Sequence, residues 1–108
     1  MAEKNKAVEK MAQRVLEGYD SIHNRDYHKG KKMLEPLKVF MHREERPNVT
    51  FLSYLAIAQI GCKDVENFLE TYEELQKNPP ANKKEEDIKT RVDEMFHELM
   101  ETFNDKKN

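Results

Sequence analysis

The sequence predicts an all-α protein of about five antiparallel helices folded as one domain. Apolar residues recur at spacings of three and four over most of the chain, which is the pattern of helices with one buried face. Charged residues make up 37% of the 108 residues and only three are glycine, a composition that favours long solvated helices over sheet. Residues 47–61 contain no charge and therefore mark the core. We expect residues 1–108 to form a single helical domain with frayed ends at 1–6 and 105–108.

The first two predicted helices each present one apolar face. The first covers about residues 7–24, and its face consists of Val8, Met11, Ala12, Val15, Tyr19 and Ile22. Asp26 is a suitable N-cap for the second, which covers about residues 27–42. Its inward residues are expected to be Met33, Leu34, Leu37, Phe40 and Met41. Pro36 must kink or restart this helix, because proline lacks a backbone donor and clashes with the preceding turn.

The third predicted helix is the uncharged segment, and it should be the most buried element. It is expected to place Leu55 and Ala56 at its contact face and to end at Gly61. The fourth helix begins after an Asp64 cap and is stopped by the Asn-Pro-Pro sequence at residues 78–80. Its buried face is expected to contain Val65, Phe68, Leu69, Tyr72 and Leu75.

The fifth predicted helix opens with a capping box, in which Asn82 caps the helix and Glu85 reaches back to it. Its apolar stripe consists of Ile88, Val92, Met95, Phe96, Leu99, Met100 and Phe103. A stripe this apolar has to be covered. We therefore expect the helix to cap the second helical hairpin, with a role as an interface as the alternative.

The chain contains an internal repeat. Residues 18–37 align with residues 56–75, and the matched aspartates, Asp26 and Asp64, are 38 residues apart. Internal periods of this size are typical of stacked helical hairpins.

Both units of this repeat resemble the tetratricopeptide repeat. Gly18 and Ala56 lie where that family has a small residue midway along the first helix of each repeat. Asp26 and Asp64 lie in the turn that precedes the second helix, and Pro80 occupies the position of the terminal proline. The resemblance implies two helical hairpins followed by a C-terminal capping helix. It also implies, broadly, the class of small adaptors, chaperones and regulators that bind other proteins.

The first unit departs from the tetratricopeptide pattern. Arg14 and Glu17 occupy the positions of large apolar residues, which Leu52 and Leu55 fill in the second unit. The resemblance covers roughly residues 11–80, and an unrelated antiparallel bundle is the alternative architecture.

The sequence contains no arrangement typical of a catalytic or metal site. The four histidines lack the spacing that places two imidazoles on one helix face. Paired carboxylates lie on predicted exposed faces, whereas catalytic carboxylates need burial or a close like charge to shift their pKa. The sequence therefore predicts a protein that is not an enzyme and has no cofactor and no metal.

The sequence also predicts a cytoplasmic protein without membrane contact. Cys62 is the single cysteine, so no internal disulfide is possible. The start of the chain is polar and lacks the apolar stretch of a signal peptide. The uncharged segment is shorter than the about 20 apolar residues that span a bilayer.

Positive charge is concentrated in one part of the chain. Residues 22–46 contain seven Lys or Arg against four Asp or Glu, whereas residues 62–82 contain two against five. The candidate partner-binding residues are Lys29, Lys31, Lys32, Arg43 and Arg46. A solvated helix surface is the alternative interpretation of this cluster.

These features predict a non-catalytic module that binds a peptide or helix of a partner protein. The partner is expected to be acidic or amphipathic, because the basic cluster would attract it and an apolar groove would hold it. A nucleic-acid-associated regulator that uses residues 22–46 is the alternative. It is less favoured because the formal net charge of the whole chain is −2. The oligomeric state is left open.

Overall fold

The computed structural model describes the backbone of residues 2–107 and the side chains of residues 6–104. The helices are α1 (Ala2–His23), α2 (Tyr27–Leu34), a 3-10 turn (Glu35–Leu37), α3 (Lys38–Met41), α4 (Val49–Gly61), α5 (Val65–Gln76) and α6 (Lys83–Lys107). The segments α2, 3-10 turn and α3 are continuous and form one interrupted rod, which gives the five predicted helical segments. Over residues 2–107 the one β-type pairing is an isolated bridge between Arg43 and Arg46. The predicted all-α fold is therefore confirmed.

Helix α4 forms the centre of the core. Nine of its residues are buried, and Leu55 and Ala56 are completely inaccessible, as predicted. It contacts α1, α2, α5 and α6. The N-terminal ends of α6 and α4 lie near each other, since Lys84 shares a surface depression with Thr50, and a later part of α6 lies near the C-terminal end of α4, since Leu99 shares another with Ile60. Helices α4 and α6 therefore run in the same direction, and the apolar stripe of α6 covers α4.

Helix α6 also contacts α5, so it covers both helices of the second hairpin. The Tyr72 and Phe96 rings stack with their centroids 4.4 Å apart, and the Tyr72 hydroxyl donates a hydrogen bond of 2.8 Å to Asp93. Burial and this carboxylate raise the pKa of Tyr72 to about 12. Val92 is completely buried, whereas Phe103 is exposed. The stripe is thus covered along the middle of α6 and open near its C-terminal end.

The two long terminal helices extend further than predicted. Helix α1 begins at Ala2 and α6 continues to Lys107, so the helices include the backbone of 2–6 and 105–107. Met1 and Asn108 lie outside the described residues. The packed residues of α1 begin at Met11.

Besides Phe103, four residues predicted to face inward are exposed instead. Val8 is 67% exposed because it precedes the part of α1 that packs on the core. Phe40 is 57% exposed because a 3-10 turn that contains Pro36 interrupts the α-helix before it. A 3-10 turn has about 3.0 residues per turn, which shifts the faces of the following residues relative to an α-helix. Ala12 and Leu69 are also exposed, at the edges of their apolar stripes.

The 38-residue repeat is present in the structure as two turns of the same geometry. Arg25 and Lys63 both have left-handed backbones, with φ of 65° and 64°. Asp26 and Asp64 follow, and the carboxylate of each accepts a hydrogen bond from the backbone N–H three residues later. The two aspartates also donate equivalent backbone hydrogen bonds, Asp26 to the carbonyl of Ser21 and Asp64 to that of Gln59. Both hairpins, α1–α2 and α4–α5, are therefore closed by the same capped turn.

Two glycines allow α1 and α2 to cross closely. A Cβ atom at Gly18 would lie 2.7 Å from the side chain of Leu34, and one at Gly30 would lie 2.5 Å from Cγ1 of Ile22. The repeat places Ala56 and Phe68 at these two positions in the second hairpin. The hairpins therefore share a turn but differ in the side chains at the helix crossing.

We expect Gly30→Ala to destabilise the protein by about 1–3 kcal/mol, because the added methyl group meets a stiff β-branched side chain. This loss opposes the gain of about 1 kcal/mol that alanine normally brings inside a helix. Urea unfolding followed by circular dichroism measures the change. The double variant Gly30→Ala/Ile22→Ala should cost less than the sum of the two single changes. Increased stability of Gly30→Ala would contradict the close crossing.

Candidate partner-binding surface

The five predicted partner-binding residues do not form one surface. Lys31 is part of a contact between the two hairpins, with its Nζ atom 2.9 Å from Oδ2 of Asp64. Lys29 and Lys32 line a groove between α1 and the α2 rod. Arg43 and Arg46 lie in the loop that follows α3. The basic segment of the sequence is thus divided into three places with different surroundings.

Lys31 joins the first hairpin to the cap of α5. The Asp64 carboxylate accepts hydrogen bonds from the backbone and side chain of Asn67 as well as from Lys31. Hydrogen bonds from Asn67 and Lys31 hold the pKa of Asp64 below its usual 3.8, and the bond to Asp64 raises the pKa of Lys31. The charge of Lys31 is therefore engaged within the protein, which separates it from the other four cations.

A second polar contact holds the α2 rod against α5. The Glu74 carboxylate accepts a hydrogen bond of 2.6 Å from Lys38 and lies 3.2 Å from Nε2 of His42. The other ring nitrogen of His42 accepts the backbone N–H of Asn48, which is the N-cap of α4. These contacts fix the rod, and with it the groove that Lys29 and Lys32 line, relative to the second hairpin.

The α1–α2 groove has a volume of about 570 Å³. Its lining residues are Lys10, Gln13, Arg14, Glu17, Lys29, Lys32, Met33, Pro36 and Leu37. Four of them are cations and one is an anion. None of the four cations belongs to an ion pair among the described side chains. The groove thus combines apolar side chains with these four cations, which form no ion pair within the described residues.

Lys10 and Arg14 were not among the predicted partner-binding residues. They come from α1, outside the basic segment, and meet Lys29 and Lys32 only because α1 and α2 are antiparallel. The sequence did contain a signal for this surface. Arg14 and Glu17 replace the large apolar residues of the tetratricopeptide pattern, and both line the groove instead of packing in the core.

The loop after α3 carries the two predicted arginines beside an exposed ring. Arg43 and Arg46 exchange two backbone hydrogen bonds of 3.2 and 3.0 Å, which close a tight turn around the two intervening glutamates. Both arginines line a depression of about 510 Å³ together with Phe40, Met41 and Glu45. This depression is a separate surface of mixed charge at the far end of the α2 rod, because the two arginines of the loop are balanced by its two glutamates.

No protein-family model, curated protein or solved structure matches the chain. The resemblance to tetratricopeptide repeats therefore remains a prediction from the sequence. Within the described residues, no helix is both long and apolar enough to cross a membrane. In the same part of the chain, no group of three or more His, Cys, Asp or Glu side chains is placed to hold a metal ion.

The pair between Lys31 and Asp64 gives stability a defined pH dependence. The lowered pKa of Asp64 means that its ionised form stabilises the folded state, and this contribution is lost as the pH falls below about 3.8. Asp64→Asn keeps a good cap but removes the charge. We expect it to cost at most about 1 kcal/mol at neutral pH, and the difference from wild type to shrink at about pH 2.5.

Urea unfolding at both pH values tests this expectation. Asp26→Asn is the matched control, because Asp26 caps the equivalent turn without an ion pair among the described residues. This control should cost less than Asp64→Asn at neutral pH. A difference between Asp64→Asn and wild type that is the same at both pH values would contradict the stabilising role of the carboxylate.

Proposed function

We propose that this protein is a non-catalytic, cytoplasmic binding module that holds an acidic, amphipathic segment of a partner protein in the α1–α2 groove. The observation that carries the proposal is the combination in this groove of four cations outside ion pairs with the apolar side chains of Met33, Pro36 and Leu37. The cations would attract carboxylates of the segment, and the apolar side chains would receive its hydrophobic residue.

The two parts of the groove have different effects on binding. Exposed charges mainly raise the association rate and are screened by salt, whereas affinity comes mostly from an apolar anchor that loses its water. Lys29 and Lys32 are exposed, Leu37 is buried, and Met33 is half-buried. Met33 is a suitable contact for an anchor because its flexible side chain adapts to different shapes.

The arginines of the loop after α3 lie in a second surface depression, which also contains Glu45. Arg43 and Arg46 lie beside the exposed ring of Phe40, which follows Pro36 and Leu37 by about one helical turn on the rod. A partner segment longer than the groove would meet this second surface, of mixed charge, at the end of the rod. Of the five predicted residues, Lys29 and Lys32 thus line the proposed groove, Arg43 and Arg46 line the separate depression, and Lys31 is paired with Asp64.

A nucleic-acid-associated regulator is the second candidate. The four groove cations are equally able to neutralise phosphates, and such binding would weaken steeply with salt. The apolar side chains between the cations favour a peptide, because phosphate contacts alone do not use them. Binding of duplex DNA with a steep salt dependence, and no binding of an acidic peptide, would favour the nucleic-acid function.

We expect Lys29→Glu/Lys32→Glu to slow association with an acidic amphipathic peptide at low salt by at least about tenfold. The probe is a labelled synthetic helix with glutamate and leucine on adjacent faces, and stopped-flow fluorescence measures the rate. The difference from wild type should diminish at about 0.5 M salt because the charges are then screened.

Two further variants make this test specific. Lys77→Glu/Lys83→Glu introduces the same charge change at exposed positions away from the groove, and should alter the rate much less. Met33→Ala should increase the dissociation rate while changing the association rate little. Equal association rates for the two double variants would show that the groove cations belong only to a solvated surface.

A further inference from the structure

A second cavity lies between the C-terminal end of α1, helix α4 and helix α6. It has a volume of about 260 Å³, and its apolar part includes Ile57 of α4 with Ile88 and Met95 of α6. Arg25, from the turn after α1, and Arg91, from α6, line the same cavity. We call it the α4–α6 cleft. It shares no lining residue with the α1–α2 groove, so it does not depend on the function proposed above.

One wall of the cleft is a supported aromatic side chain. The Tyr54 ring stacks on Tyr19 with 4.0 Å between the centroids, and its hydroxyl lies 2.8 Å from Nε2 of His23. Burial and, to a smaller extent, the negative charge of Asp20 raise the pKa of Tyr54. This hydroxyl therefore stays neutral at physiological pH. The wall is therefore held in place by contacts that a ligand does not have to form.

The charged groups of the cleft all have the same sign. No Asp or Glu is among its lining residues, and neither Arg25 nor Arg91 forms an ion pair among the described residues. The left-handed backbone of Arg25 is fixed by the capped turn, in which its N–H donates to the carbonyl of Ile22 at 3.0 Å. Guanidinium groups match the planar geometry of a carboxylate. The cleft is thus complementary to one anionic group next to an apolar body.

The cleft continues along α4 and α6. A neighbouring depression of about 250 Å³ shares Tyr54 and Ile88 with it and is completed by Thr50, Lys84 and Asp87. An apolar chain that starts beside the arginines would therefore find further surface beyond Ile88. The volume of the cleft is just below the usual range of small-molecule sites, which suits a ligand smaller than a drug-sized compound.

We propose that the α4–α6 cleft binds a small amphipathic monocarboxylate of the medium-chain fatty-acid type. The carboxylate lies between Arg25 and Arg91, and the hydrocarbon chain lies over Ile57, Ile88 and Met95. Sequence patterns do not predict this site, because Arg25 and Arg91 are far apart in the chain and only the packing of α6 on α4 brings them to one cavity.

Titration of the 108-residue chain with octanoate, followed by two-dimensional NMR of the backbone amides, tests the proposal. We expect saturable shifts at residues around the cleft and none around the α1–α2 groove. The neutral analogue 1-octanol, which has the same chain length, should bind at least about tenfold more weakly because it cannot accept the charge-assisted hydrogen bonds. Equal affinity for octanoate and 1-octanol would overturn the assignment of the arginines.

Substitutions then identify the groups that bind. Arg25→Gln and Arg91→Gln should each weaken octanoate binding by about tenfold, with helical content and thermal unfolding close to wild type because both side chains are exposed. Lys63→Gln is the matched control, since Lys63 occupies the equivalent left-handed turn position in the second hairpin. Ile88→Ala should weaken binding of both octanoate and 1-octanol. Wild-type octanoate affinity in both arginine variants, or no saturable binding to the wild-type protein, would overturn the proposal.

Discussion

The burial of α4 is the constraint on which the rest of the structure depends. The other long helices each have one apolar stripe, whereas α4 is apolar around most of its surface and has to be covered from several sides. Its completely buried Phe51, Leu52 and Leu55 each contribute about 1.5–3 kcal/mol to folding by leaving water. Helices α1, α2, α5 and α6 all contact it, and polar contacts such as Lys31 with Asp64 then align the two hairpins. The positions of the groove and the cleft follow from this arrangement.

Much of the fold was predictable because its signals are local. The caps Asp26, Asp64 and Asn82 all accept the backbone hydrogen bonds that their positions in the sequence indicate. Exposure was less predictable, because it depends on which neighbour a face meets. Val8 continues the apolar stripe of α1 but lies beyond the part of the helix that packs on the core. Phe40 was predicted to face inward, but the 3-10 turn before it rotates the following residues relative to a continuous α-helix.

The candidate site shows the same division between local and long-range information. The basic cluster was visible along one stretch of chain, and its exposed members Lys29 and Lys32 do line a groove. Two other contributors to that groove, Lys10 and Arg14, come from a different helix, and the charge of Lys31 is directed toward the second hairpin. Sequence spacing relates residues on one element. Only the packing of elements decides which charges share a cavity and which neutralise each other.

The difference between the two helix crossings has a consequence for the repeat itself. Gly30 and Phe68 are equivalent in sequence, yet a single methyl group at Gly30 would already meet Ile22, while Phe68 buries a complete ring. A segment transplanted from the second hairpin into the first would carry this ring into a space where two helix backbones nearly touch. The two units therefore share a turn without being interchangeable modules, because the first crossing has no room for the ring that the second one buries.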